Sequence, residues 1–127
     1  MKEQFVSFEI AKILKEKGFD EICMGVYVNE QLCPYGIPHE PRKFNTLVFT
    51  IVREEITSAP LWQQTLDLLR DVKGIFIDLT LHDRENTETW KYEISEYGYY
   101  NMLAQENVYK SYYNTRELAI KKALELI

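Results

Sequence analysis

The sequence predicts an α+β fold: a mainly antiparallel β-sheet with about three helices packed on it, in the order α-β-β-α-β-β-β-α. Three observations carry this. Segments near the start, middle and end of the chain space their apolar residues as one face of a helix, and several segments between them are short and β-rich or alternate apolar with polar residues. Strands and helices do not alternate throughout, as a parallel sheet with helical crossovers would require. The chain of 127 residues reads as a single domain, with enough apolar residues for its own core.

Taken in order, Ser7 is placed to cap a helix reaching about Lys17, with Ile10, Ala11, Ile13 and Leu14 on one side and Lys12, Lys15 and Glu16 on the other. Gly18 suits the left-handed position that stops a helix, and Phe19 is then placed to fold back on Leu14. Residues 22–28, ICMGVYV, form a strand entering a hairpin at Asn29-Glu30-Gln31. Pro34, Pro38, Pro41 and Gly36 make 33–46 a loop, and LVFTIV at 47–52 a second strand.

The next helix is expected over about 59–73, beginning in SAPLWQQTLDLLR. Leu61, Trp62, Leu66, Leu68, Leu69 and Val72 fill one arc around Thr65, so Trp62, Leu66 and Leu69 are expected in the core. Gln63 and Gln64 fall on the wet side, without a role. Pro60 is tolerated in a first turn, Ser58 or Ala59 marks the boundary, and Gly74 ends the helix.

IFIDLTLH at 75–82 alternates strictly, with Ile75, Ile77, Leu79 and Leu81 facing one way and Phe76, Asp78, Thr80 and His82 the other. After the polar link DRENTET, WKYEISEY at 90–97 returns with Trp90, Tyr92 and Ile94 as the matching apolar face, which predicts an antiparallel pair. GYYNMLAQEN is a weaker segment before a strand at 108–113, VYKSYY. Asn114 and Glu117 are spaced as a capping box with Tyr113 and Leu118 as its staple, opening a last helix whose stripe is Ala119, Ile120, Ala123, Leu126 and Ile127.

The chemistry is less legible. Net charge is −5, with acidic and basic residues dispersed, so nucleic acid is disfavoured as a partner. No apolar run reaches the roughly 18 to 20 residues of a membrane span, and the N-terminal stretch is too charged for a signal peptide, so a cytoplasmic protein without a membrane role is expected. Cys23 and Cys33 lack the further ligands of a zinc site, glycines stand singly, and no nucleophile elbow or phosphate cradle is present; neither a metal nor a cofactor is expected.

Two surfaces stand out. Asp78, Thr80 and His82 share a face, and Glu93 or Glu96 of the returning strand could join them in a polar site; Asp78, His82 and Glu93 are its candidate residues, able to hold a metal or move a proton in a small enzyme or ligand-binding protein. His39 lies beside Glu40 in the proline loop. The other surface is tyrosine-rich: seven of the nine tyrosines fall between Tyr92 and Tyr113. Tyr97, Tyr99 and Tyr100 lie where strand packing explains them least, which makes them candidates for binding a partner protein. A homo-oligomer through a free sheet edge is the third expectation.

Three stretches, FVSFEIAKILKEKGFDE, SAPLWQQTLDLLRDVKGI and YYNTRELAIKKALELI, together resemble a group of small uncharacterised proteins of phages and prophage-like elements of gut bacteria. The resemblance covers under half the chain and carries no catalytic residues. It implies only a mobile-element accessory protein of the bacterial cytoplasm; the lack of a catalytic constellation together with the clustered aromatics favours a non-enzymatic protein-interaction module.

Overall fold

The structure, a computed structural model, describes residues 4–34, 41–45, 55–83, 86–96, 101–108 and 110–127, the side chains of 82, 83, 86–88 and 101 excepted. In chain order the elements are α1 (Phe8–Glu16), β1 (Gly25–Val28), β2 (Gln31–Cys33), β3 (Ile56–Ala59), α2 (Trp62–Lys73), β4 (Ile75–Asp83), β5 (Asn86–Glu96), β6 (Asn101–Val108) and α3 (Tyr112–Glu125). They form an α+β fold with two three-stranded antiparallel sheets, ordered β2-β1-β3 and β4-β5-β6. The chain divides into two compact units, 1–64 and 65–127, the division falling inside α2.

In the first unit α1 begins and ends as its sequence dictates. Ser7 caps it by accepting from the Ile10 N–H at 3.3 Å. At the other end Gly18 takes φ +88°, its N–H bonds the Lys15 carbonyl at 3.1 Å, and the Phe19 N–H reaches back to the Leu14 carbonyl at 2.9 Å. That is a Schellman stop, and Phe19 and Leu14 are both buried beside it.

The hairpin β1–β2 turns on Asn29-Glu30, with Asn29 in the left-handed region at φ 52°. The same residue anchors β3: its N–H donates to the Glu55 carbonyl at 2.8 Å and its side-chain oxygen accepts from the Glu55 N–H at 3.0 Å. Gly25 is needed where β1 passes beneath Phe5, since a Cβ there would lie 2.5 Å from the Phe5 ring and 2.9 Å from the Ala59 carbonyl oxygen. Tyr27 packs edge-on against Phe8 at 5.4 Å and donates its hydroxyl to the Val6 carbonyl at 2.7 Å.

The strand β3 was not anticipated as such. Ser58 and Ala59, read as a helix boundary, belong to a fully buried strand, and α2 starts at Trp62, beyond Pro60. The strand expected at 47–52 lies outside the described residues. Of the proline loop, the far end docks: Arg42 and Cys23 exchange backbone hydrogen bonds of 2.9 and 3.0 Å, and Phe44 is buried.

In the second unit β4 and β5 form the expected antiparallel pair with their apolar faces matched, Ile77 opposite Ile94, Leu79 opposite Tyr92 and Leu81 opposite Trp90. The polar link is shorter than expected, because the ladder runs on to Asp83 and Asn86. The helix α3 lies against β5 and β4. Its buried stripe is Thr115, Ala119, Ile120, Ala123 and Leu124; Leu126 and Ile127, expected in it, are exposed, because the helix ends at Glu125.

Two further expectations are corrected here. The third strand is Asn101–Val108, from the segment judged weak, and Lys110 to Tyr113 do not continue it. The cap of α3 is Ser111, which accepts from the Asn114 N–H at 3.3 Å, so Asn114 is the third helical residue and not the cap. Both are cap-forming residue types; with Ser111 as the cap, buried Thr115 lies a full turn into the helix and donates back to the Ser111 carbonyl at 2.9 Å.

Of the expected apolar arc of α2, Trp62, Thr65 and Leu69 are buried and Leu66 is half-buried. Leu61, which lies just outside the helix, and Val72 are exposed, Val72 by 64%. Among the described residues no helix is long and apolar enough to cross a membrane.

Candidate functional site

Moving Tyr112 and Tyr113 from a strand into the first turn of α3 changes what they do. On a strand they would point to opposite faces, whereas in a helix Tyr112 stands four residues and Tyr113 three residues before Arg116, so all three side chains meet. The Arg116 guanidinium lies 5.5 Å from the centre of the Tyr112 ring and 5.3 Å from that of Tyr113. Both distances are within cation–π reach.

From β5, Trp90 adds a third ring, 5.0 Å from Tyr112 at an interplanar angle of 68°, and the two tyrosines stand 5.7 Å apart at 77°. These edge-to-face contacts suit the ring quadrupoles and restrain the rings in advance of any binding. Tyr113 is 57% and Tyr112 36% exposed, while Trp90 and Arg116 are half-buried. Partial burial pulls Arg116 down from its ordinary value, against the upward pull of Tyr112 and Tyr113. A guanidinium in such a place stays charged at neutral pH. The result is a braced ridge of aromatic faces, phenolic hydroxyls and one cation.

The candidate polar site comes together only in part. Asp78 and Glu93 are direct partners across β4 and β5, as are Thr80 and Lys91. Lys91 Nζ takes the Glu93 carboxylate at 2.7 Å, both side chains about a third exposed, and Asp78 is exposed. His82 sits four residues beyond Asp78, about 13 Å at the usual strand rise, where the pairing register shifts between Leu81 and Asp83; its side chain is outside the described residues. Among the described residues no three His, Cys, Asp or Glu side chains gather as metal ligands. Tyr97, Tyr99, Tyr100 and His39 lie outside the described residues.

Cys23 is enclosed rather than poised. It is 1% exposed, and burial pushes its thiol up to about 12, with Ser58 and Gln64 as hydrogen-bonding neighbours that work weakly against the rise. Almost no thiolate is present at neutral pH, which removes it as a nucleophile. The same pocket gives Gln64 the role that its place on the wheel concealed. Its amide donates to the Ile22 carbonyl at 2.9 Å, and its oxygen accepts from the Leu61 N–H at 3.4 Å and faces the Cys23 sulfur at 4.0 Å. Reaching back to Leu61 is half of a capping box, so Gln64 both finishes the start of α2 and ties it to the strand-like segment at Cys23.

The ridge is hidden in the sequence because aromatic residues favour strands, and VYKSYY has the composition of one. The one signal is Ser111 itself, a cap-forming residue after which Tyr112, Tyr113 and Arg116 fall at helical spacing. Compared with protein-family models, curated proteins and solved structures, the chain matches none of them.

Proposed function

We propose that this protein is a non-enzymatic interaction module that binds another protein through the ridge formed by Trp90, Tyr112, Tyr113 and Arg116. The observation that carries this is the exposed, mutually braced set of rings around a guanidinium. Trp, Tyr and Arg are the residue types that most often dominate protein contacts, and rings already held in place lose little freedom on binding. The resemblance of the three helical stretches to phage and prophage proteins supports an accessory role in the cytoplasm of a bacterial host, with host or phage proteins as partners.

A comparative pull-down tests it. Tagged wild type and the variants Tyr113→Ser and Lys110→Glu are expressed in the same bacterial host, with circular dichroism showing all three folded. Specific partners recovered by wild type should fall away with Tyr113→Ser. Equal recovery of every specific partner by the variants would overturn the assignment of this surface.

A further inference from the structure

We infer that the segment bound at this ridge is an acidic one, a stretch of protein chain that presents carboxylates beside apolar side chains; the inference rests on the contact surface proposed for Trp90, Tyr112, Tyr113 and Arg116. The chain as a whole is acidic, at −5, yet at the ridge two cations, Arg116 and Lys110, stand against one carboxylate, Glu117, a turn beyond Tyr113. Arg116 spans the two tyrosines, and Lys110 is exposed immediately before the Ser111 cap. The first turn of α3 carries no acidic residue, although a helix start is where an acidic side chain would be most favourable.

The chemistry of each group fits a carboxylate. A guanidinium offers a planar fork to its two oxygens, and partial burial of Arg116 lessens the competition from water that makes fully exposed ion pairs weak. The Tyr112 and Tyr113 hydroxyls can donate at the rim, while the ring faces remain for apolar neighbours of the acid. A phosphate backbone shares the negative charge but not the fit. An extended polyanion reaches well past the roughly 8 to 10 Å over which salt screens charge, and so meets the acidic remainder of the protein. A short acidic peptide feels mainly the local cations.

The test uses the full chain against an array of short peptides that share one set of apolar residues and differ only in whether the remaining positions are all acidic, all amide or all basic. Hits are measured in solution by fluorescence anisotropy, with single-stranded oligothymidylate as a further probe. Acidic peptides should bind, and binding should weaken by at least about fivefold on Lys110→Glu, on Tyr113→Ser and on exchange of each peptide glutamate for glutamine. Added salt should weaken it further. Equal binding of the amide peptides, tighter binding of oligothymidylate, or no binding of any acidic peptide would overturn the inference. If amide peptides bind and Tyr113→Ser abolishes this, only the acidic character falls. If no peptide binds and the variants recover the same partners as wild type from the host, the contact surface falls with it.

Discussion

Asn45 and Ser58 each donate a backbone N–H to the other's side chain, Asn45 to the Ser58 hydroxyl at 3.1 Å and Ser58 to the Asn45 carboxamide oxygen at 2.8 Å. Asn45 spends its remaining donor on the Phe19 carbonyl at 2.8 Å, which joins the stop of α1, the end of the proline loop and the buried strand β3. Further along β3 the Lys15 ammonium donates to the Ile56 carbonyl. Side chains thus satisfy two groups of β3, the Ser58 N–H and the Ile56 carbonyl, that are not used in its ladder with β1.

Asn45→Ala should therefore be costly for a loop residue. It leaves the N–H of fully buried Ser58 without its acceptor, and a loss of about 1 to 3 kcal/mol is expected, read as a lower urea midpoint with unchanged slope. An effect below about 0.5 kcal/mol would mean that the pair does not hold β3.

Gly25→Ala should destabilise by about 1 to 3 kcal/mol, because the added carbon cannot share space with the Phe5 ring. Combining it with Phe5→Leu tests the cause. The double variant should lose less than the sum of the two single losses, while strict additivity would place the strain elsewhere.

The cap of α3 can be located by two alanine substitutions. Ser111→Ala should cost about 1 kcal/mol, and Asn114→Ala, which removes no capping side chain, a small fraction of that. The reverse order in thermal or urea unfolding would restore Asn114 as the cap and unseat the first-turn positions of Tyr112 and Tyr113.

Two buried acids set the behaviour in base. Burial lifts the Cys23 thiol from 9.0 to about 12; burial, followed by the hydrogen bond to Glu106, lifts the Tyr92 hydroxyl from 10.0 to about 12. Both hold their protons more tightly folded than unfolded, so above pH 9 to 10 unfolding releases protons. Their contribution is whole below that range and is lost as pH rises toward 12. Stability measured across this window should fall, and Tyr92→Phe should flatten its upper part. At neutral pH a thiol reagent should modify half-buried Cys33 and reach Cys23 only on unfolding; equal rates would contradict the enclosure of Cys23.

What could be read from the sequence was local. Ser7, Gly18 and Phe19 define α1 by interactions within a few residues, and the alternation of 75–82 and 90–97 predicts an antiparallel β4–β5 pair with matched apolar faces, though not its register. What escaped depends on distant partners. Gln64 faces solvent on a wheel, but its amide finds a carbonyl 42 residues earlier, and Ser58 is a strand residue because Asn45 and β1 flank it. Tyr112 and Tyr113 stand in the helix capped by Ser111 despite their strand preference, and Thr115 in the same first turns is buried and donates back to the Ser111 carbonyl. The polar face was legible as a row, Asp78 opposite Glu93, but not that Lys91 would claim the Glu93 carboxylate.

The central claim, that the Tyr113 ridge is a protein contact, is tested most directly by site-specific photo-crosslinking in the bacterial host. A photoreactive phenylalanine analogue replaces Tyr113 in one strain and exposed Lys73, at the end of α2, in another. A discrete, saturable adduct with a protein of defined mass should form from position 113 and not from 73, and Lys110→Glu in the same chain should diminish it. Identical adducts from both positions, or none from position 113 in a host where the pull-down recovers a specific partner, would contradict it.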